Sequence, residues 1–162
     1  MSTAGKNLSE YDRESIPSGS GLRFALIVSE WNNDITFSLC DGAYNTLLKN
    51  GVKESDIEII HVPGSFELTA GARLAAEKNR FDAVICLGCV IRGETPHFDY
   101  ICQGVTQGIT ALNIQYDIPF IFGILTTENQ LQAQARSGGK YGNKGDEAAI
   151  TAIKMAALRK KM

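Results

Sequence analysis

The chain has 162 residues, 44% of them apolar and 21% charged, with 16 Lys and Arg against 18 Asp and Glu for a formal charge of −2. A chain this long folds as one domain and buries roughly 70% of its unfolded surface, so its core needs no disulfide or metal staple. The charge balance argues against a nucleic-acid or membrane partner, the start lacks the apolar stretch of a signal peptide, and four cysteines without an export signal are expected reduced, in the cytoplasm.

Residues 1–21 are polar and end in Pro17-Ser18-Gly19-Ser20-Gly21. They read as an N-terminal arm, either mobile or ordered only against a neighbouring subunit, ahead of a single domain over 22–162. The runs Leu22–Val28, Ile57–Val62, Ala83–Val90 and Pro119–Leu125 are short and rich in Val, Ile and Phe, as buried strands are. Between them, Ile35, Leu39, Ala43 and Leu47 recur at helical spacing until Gly51 stops the helix. Leu68, Ala72, Ala75 and Ala76 mark a second helix, and Ile101, Val105, Ile109 and Leu112 a third. A short helix is expected near Glu128–Arg136, and a last one carries Ile150, Ile153 and Ala157. Strands alternating with helices imply right-handed crossovers and a four-stranded parallel sheet with helices on both faces, a three-layer α/β/α sandwich of flavodoxin-like type. Such sheets bind ligands beyond the carboxyl ends of their strands.

Those strand ends hold the residues of chemical interest. Trp31 follows the first strand, where an indole either packs under a loop or offers a flat face to a flat heteroaromatic ring. Pro63-Gly64-Ser65-Phe66-Glu67 follows the second strand. Gly93-Glu94-Thr95-Pro96-His97 opens the third helix, with Thr95 expected as N-cap and Pro96 in the first helical position. A helix start presents free N–H groups and partial positive charge, a cradle for phosphate as well as a simple cap, although the acidic Glu94 sits awkwardly with an anion. His97 is a surface histidine or an imidazole able to move protons near whatever binds there. His61 is expected to pack within the second strand. Cys86 and Cys89 form a C-x-x-C, but within a strand their odd spacing points them to opposite faces, against metal binding. The glycine-rich stretch from Arg136 to Gly145 lacks the Gly-Lys-Ser/Thr order of a nucleotide P-loop and reads as a solvated turn, unless Arg136 meets a phosphate.

Together, Val62-Pro63-Gly64-Ser65-Phe66-Glu67-Leu68, Gly88-Cys89-Val90-Ile91-Arg92-Gly93-Glu94-Thr95-Pro96-His97-Phe98 and Phe122-Gly123-Ile124-Leu125-Thr126-Thr127-Glu128-Asn129 resemble the 6,7-dimethyl-8-ribityllumazine synthase family of riboflavin biosynthesis, from about Leu22 to the C-terminus. The resemblance implies a transferase joining 5-amino-6-(D-ribitylamino)uracil to 3,4-dihydroxy-2-butanone 4-phosphate with loss of phosphate and water, without metal or other cofactor. It implies that Trp31 stacks on the pyrimidine, that Ser65, Phe66 and Glu67 contact ring and ribityl chain, and that the backbone of Cys89, Val90 and Ile91 binds the pyrimidine edge. It places Glu94 and Thr95 at the phosphate and His97 at proton transfer. Phe122 and Arg136 would come from the adjacent subunit, Arg136 on the phosphate with Lys144 as a further cation nearby. The implied partner is therefore the chain itself, as a pentamer and, in shell-forming members, an icosahedral capsid. Two rival readings remain open: a flavin- or pterin-binding module in which His97 is only a cap, and a cargo shell with incidental catalysis.

Overall fold

A computed structural model describes residues 7–162; residues 1–6, the front of the expected arm, lie outside the described residues. The elements run β1 (Phe24–Ser29), α1 (Asn33–Lys49), β2 (Ile57–Val62), α2 (Leu68–Ala76), β3 (Ala83–Ile91), α3 (His97–Gln115), β4 (Phe120–Thr127), α4 (Gln130–Gln134), β5 (Ser137–Gly139), β6 (Gly142–Asn143) and α5 (Lys144–Lys161). The four long strands form one parallel sheet in the order β2-β1-β3-β4, and β5 and β6 make a small antiparallel hairpin. The three-layer sandwich expected from the alternation is the architecture observed.

Burial follows position in the sheet. Every residue of β1 is buried, because it lies between two other strands and under helices on both faces. Alternate residues feed two cores. Leu26, Ile85, Cys89 and Leu125 meet α1 and α5, whereas Ile27, Val84, Cys86 and Ile124 meet α2 and α3. Cys86 and Cys89 do point to opposite faces. At the edge, β2 is only half covered, which corrects the reading of His61: its ring is exposed and rests edge-on against Phe37 at 5.4 Å.

Other differences are local. Phe24, rather than Leu22, begins β1, because Arg23 exchanges backbone and carboxylate hydrogen bonds with Asp82 instead of joining the ladder. Pro119 precedes β4 but its carbonyl still accepts from the Val84 N–H at 2.9 Å. On α5 Ile150 and Ile153 are buried as expected, whereas Ala157 is half-covered and the small residues completing the stripe are Ala149, Ala152 and Ala156. Near the start of α5, at Gly145, an added Cβ would run into the Leu39 carbonyl oxygen of α1.

The described part of the arm, 7–21, follows the surface of its own chain. The Leu8 N–H donates to the Tyr141 carbonyl at 2.7 Å, the Asn143 N–H to Ser9 Oγ at 2.9 Å, and the Gly19 N–H to the Asn50 carbonyl at 2.8 Å.

Candidate active site

The chain runs from β1 to β2 on one side and then back past β1 to β3 on the other, so the loops after these strands lie at a switch point. The Glu30 N–H donates to the Val62 carbonyl (2.8 Å) and the Trp31 N–H to the Pro63 carbonyl (3.0 Å), joining the loops after β1 and β2. Asn32 adopts φ 60° and ψ 46°, a left-handed conformation that Asn tolerates better than most residues. From there its Nδ2 donates to the Cys89 carbonyl at 3.0 Å, joining β1's loop to β3. Trp31 is thereby held at the strand ends with 74% of its surface exposed. A bare indole on a backbone so held has a face free to stack on a flat ring.

Ser65 is buried, and its hydroxyl makes a long 3.4 Å contact with the same Cys89 carbonyl. Gly88 makes room for it. A Cβ at that position would stand 2.8 Å from Ser65 Oγ and 2.7 Å from Leu68 Cδ1. Phe66 lies beside Gly104 of α3 yet stays 58% exposed, and Glu67 is exposed just before α2. Val90 and Ile91 are half-buried where β3 ends.

The start of α3 differs from the expected cap. Pro96, not Thr95, occupies the cap position; the helix begins at His97, and no side chain caps it. Glu94, Thr95 and His97 are all exposed there. Amide groups that a capping side chain would have taken are left for a ligand, with the helix dipole behind them. Arg92, the cation that precedes this turn, is already paired. It pairs with Asp99 at 3.2 Å and Glu128 at 2.8 Å, and it lies 4.1 Å over the Phe98 ring. The Asp99 carboxylate first, and Glu128 after it, raise its pKa above the usual guanidinium value.

An indole, a buried hydroxyl, a carboxylate, an uncapped helix start and an imidazole thus all follow the carboxyl ends of β1, β2 and β3, at the crevice where parallel α/β sheets bind ligands. Comparison with known proteins agrees. Residues 21–160 match the family described as 6,7-dimethyl-8-ribityllumazine synthase. Curated relatives bearing that name are 62% identical in Parabacteroides distasonis, over 96% of this chain and 97% of theirs, and 59% identical in Porphyromonas gingivalis, over 99% of each. A third, from Phocaeicola vulgatus, is 54% identical over the whole chain and 96% of its own. The chain belongs to the 6,7-dimethyl-8-ribityllumazine synthase family. It is accordingly an enzyme, a transferase of riboflavin biosynthesis.

Phe122, Arg136 and Lys144 lie apart from the switch-point crevice. Phe122 is half-buried within β4 on the α2–α3 side. The hairpin near Arg136 packs on α1, where Ser38 Oγ donates to the Ser137 carbonyl, so the expected loose turn is a tied β-hairpin. The Lys144 N–H donates to the Arg136 carbonyl at 2.9 Å, which brings these two cations together. Arg136 Nη1 donates to the Gln132 carbonyl (3.0 Å) and its guanidinium lies 4.9 Å from the Tyr141 ring, while Lys144 pairs with Glu147 at 2.7 Å.

Two residues that position the site had no assigned role in the sequence reading. Asn32 belongs to a polar loop whose left-handed turn has no strong local signal, and Arg92 has a partner, Glu128, that only the fold brings near. Burial pushes the Cys86 and Cys89 thiols up to about 12, which keeps them protonated near neutral pH. A groove of about 550 Å³ at the amino end of β4, between Tyr116, Pro119, Met155 and Leu158, lies at the opposite pole from the strand-end loops. Among the described residues no helix is long and apolar enough to cross a membrane.

Proposed function

We propose that the chain condenses 5-amino-6-(D-ribitylamino)uracil with 3,4-dihydroxy-2-butanone 4-phosphate to give 6,7-dimethyl-8-ribityllumazine, in the cytoplasm, at sites shared between neighbouring copies. The observation that carries this reading is the uncapped start of α3 after β3, with His97 in its first turn, together with a bare indole after the neighbouring strand β1.

In this reading Trp31 stacks on the pyrimidine, the backbone of Cys89, Val90 and Ile91 takes its edge, and Ser65, Phe66 and Glu67 take the ribityl chain. The phosphate sits on the N–H groups near Thr95, with the Glu94 side chain turned away. The pyrimidine's amine attacks the ketone, an imine forms with loss of water, phosphate leaves, and the ring closes with loss of water. His97 takes and returns the protons of these steps. Holding two reactants in register supplies most of the acceleration, since effective molarity is worth about 7–11 kcal/mol at best, against roughly 10²–10⁴-fold for a well-placed acid–base group.

The exposure of Trp31 and Phe66, and the placing of Arg136 and Lys144 at the two ends of a separate hairpin, support a site completed by a second copy. A pentamer with Phe122 and Arg136 reaching into the adjacent crevice satisfies both, and a capsid of such pentamers is the larger assembly proposed. Mixing tests this. His97→Ala and Arg136→Ala chains are each slow alone; unfolded and reassembled together at equal amounts, they regain about a quarter of wild-type turnover, because random pairing makes that share of interfaces intact. A mixture no faster than its parents defeats the shared site, and a monomer by analytical ultracentrifugation defeats the pentamer.

A further inference from the structure

We propose that Arg92, Glu128 and Gln132 are positioning residues, a relay that fixes the Arg136 guanidinium relative to the first turn of α3. This rests on the shared-site reading above and extends it: each chain would set the phosphate geometry of its own crevice and of its neighbour's through one set of hydrogen bonds.

The connection is continuous. Asp99, in the first turn of α3, pairs with Arg92 Nη2 at 3.2 Å, and Arg92 Nε pairs with Glu128 Oε2 at 2.8 Å. The Arg92 N–H also donates to the Thr127 carbonyl at 2.9 Å, so its backbone is fixed to the end of β4 as firmly as its side chain is to α3. The Glu128 N–H then donates to Gln132 Oε1 at 3.0 Å, and the Gln132 carbonyl accepts from Arg136 Nη1 at 3.0 Å. Asn129 Oδ1 accepts from the Gln132 N–H at 3.0 Å and keeps α4, the carrier of the last two links, in register.

The two arginines have opposite surroundings. Arg92, which lies beside the helix start, faces two carboxylates, so its charge is spent within the chain. Arg136 is held by a neutral carbonyl and an aromatic ring, and no carboxylate pairs with it among the described residues. Its charge remains available to an anion while its direction is fixed. Arg92 therefore serves as a strut, and Arg136 as the cation that the strut aims. The ion pairs are exposed, and pairs of that kind add little to stability, so their loss should appear in substrate binding rather than in melting.

The test measures KM for each substrate, kcat and Tm in the assembled enzyme. Glu128→Ala is expected to raise KM for the phosphate-bearing substrate roughly tenfold, with KM for the pyrimidine substrate within about twofold of wild type and Tm unchanged. Glu128→Gln, which can still accept from Arg92, should recover most of that loss, and Gln132→Ala should repeat it from a second position. In an Arg136→Ala background Glu128→Ala should add nothing, because the link acts through Arg136. Fully additive effects in that double variant, or an unchanged phosphate-substrate KM in both single variants of an active enzyme, overturn the relay and leave the proposed reaction standing. A wild-type chain that forms no lumazine overturns the reaction itself, and the relay with it.

Discussion

Gly145→Ala tests how closely the last helix is fitted to the first. Gly145 is the second residue of α5, buried where α5 crosses α1. A Cβ there meets only backbone: the Leu39 carbonyl oxygen, the Leu39 carbonyl carbon at 2.8 Å and the Ala43 nitrogen at 3.0 Å. Restoring an ordinary carbon–carbon separation of about 3.5 Å moves α5 off α1 by about 0.7 Å at the least. Overpacking costs about 1–3 kcal/mol, and the upper end applies because no flexible side chain can yield. The opposing term is helix propensity, which favours Ala over Gly by up to about 1 kcal/mol. The net loss is about 2 kcal/mol, or about 4–8 °C in Tm for a domain of this size. Thermal unfolding followed by circular dichroism at one fixed scan rate reads it, with Gly93→Ala as control, since a Cβ at Gly93 meets nothing within 4 Å. The displaced helix start also carries Lys144, whose N–H holds the Arg136 carbonyl, so KM for the phosphate substrate rises too. A Tm equal to or above wild type would show that propensity outweighs packing and refute the reasoning.

His97→Ala should lower kcat by about 10²–10⁴-fold without abolishing turnover, because orientation of the reactants survives; unchanged kcat in steady-state kinetics removes the imidazole from the mechanism. Asn32→Ala and Asn32→Gly both lose the bond to the Cys89 carbonyl, but only Ala is strained at φ 60°, so Ala should unfold at the lower urea concentration and both should weaken pyrimidine binding. Equal urea midpoints would contradict the backbone argument. Burial raises Cys40 to about 11 and Cys86 and Cys89 to about 12 from 9.0. The unfolded chain thus loses these protons first on alkalinisation, and stability present below pH 9 should fall as pH rises from 9 towards 12. Replacing Cys86 by Ala should flatten that fall in pH-dependent urea unfolding; an identical slope would show that the thiol plays no part.

The layers were legible because strand and helix periods are written into the sequence. Leu68–Ala76 needed only four apolar positions at helical spacing to be bounded correctly. The misplacements arose where neighbours outweigh local pattern. His61 has strand spacing on both sides, but β2 lies at the sheet edge, and nothing in Ile57–Val62 says which strand will be last. Thr95-Pro96 has a good capping signal, yet the chain turns one residue later, with Pro96 in the cap position and the first amides open. The crevice residues were readable as a set since all follow strands in a parallel sheet. Arg92 was not assigned a role, because its partners Asp99 and Glu128 are set by how α3 and the β4–α4 turn come together, which no local spacing encodes. Asn32 was missed for a related reason: its bond reaches Cys89, fifty-seven residues away.

Leu8 and Ser9 grip the β5–β6 hairpin from far away in the sequence, and Asn143 at the end of β6 caps α5 by accepting from the Gly145 N–H at 2.8 Å. Leu8 and Ser9 thus brace the hairpin that Arg136 and Lys144 flank. Clipping the chain after them with a protease would slacken that hairpin while leaving the sheet intact and, on the function proposed above, a well-folded enzyme would lose its hold on phosphate first.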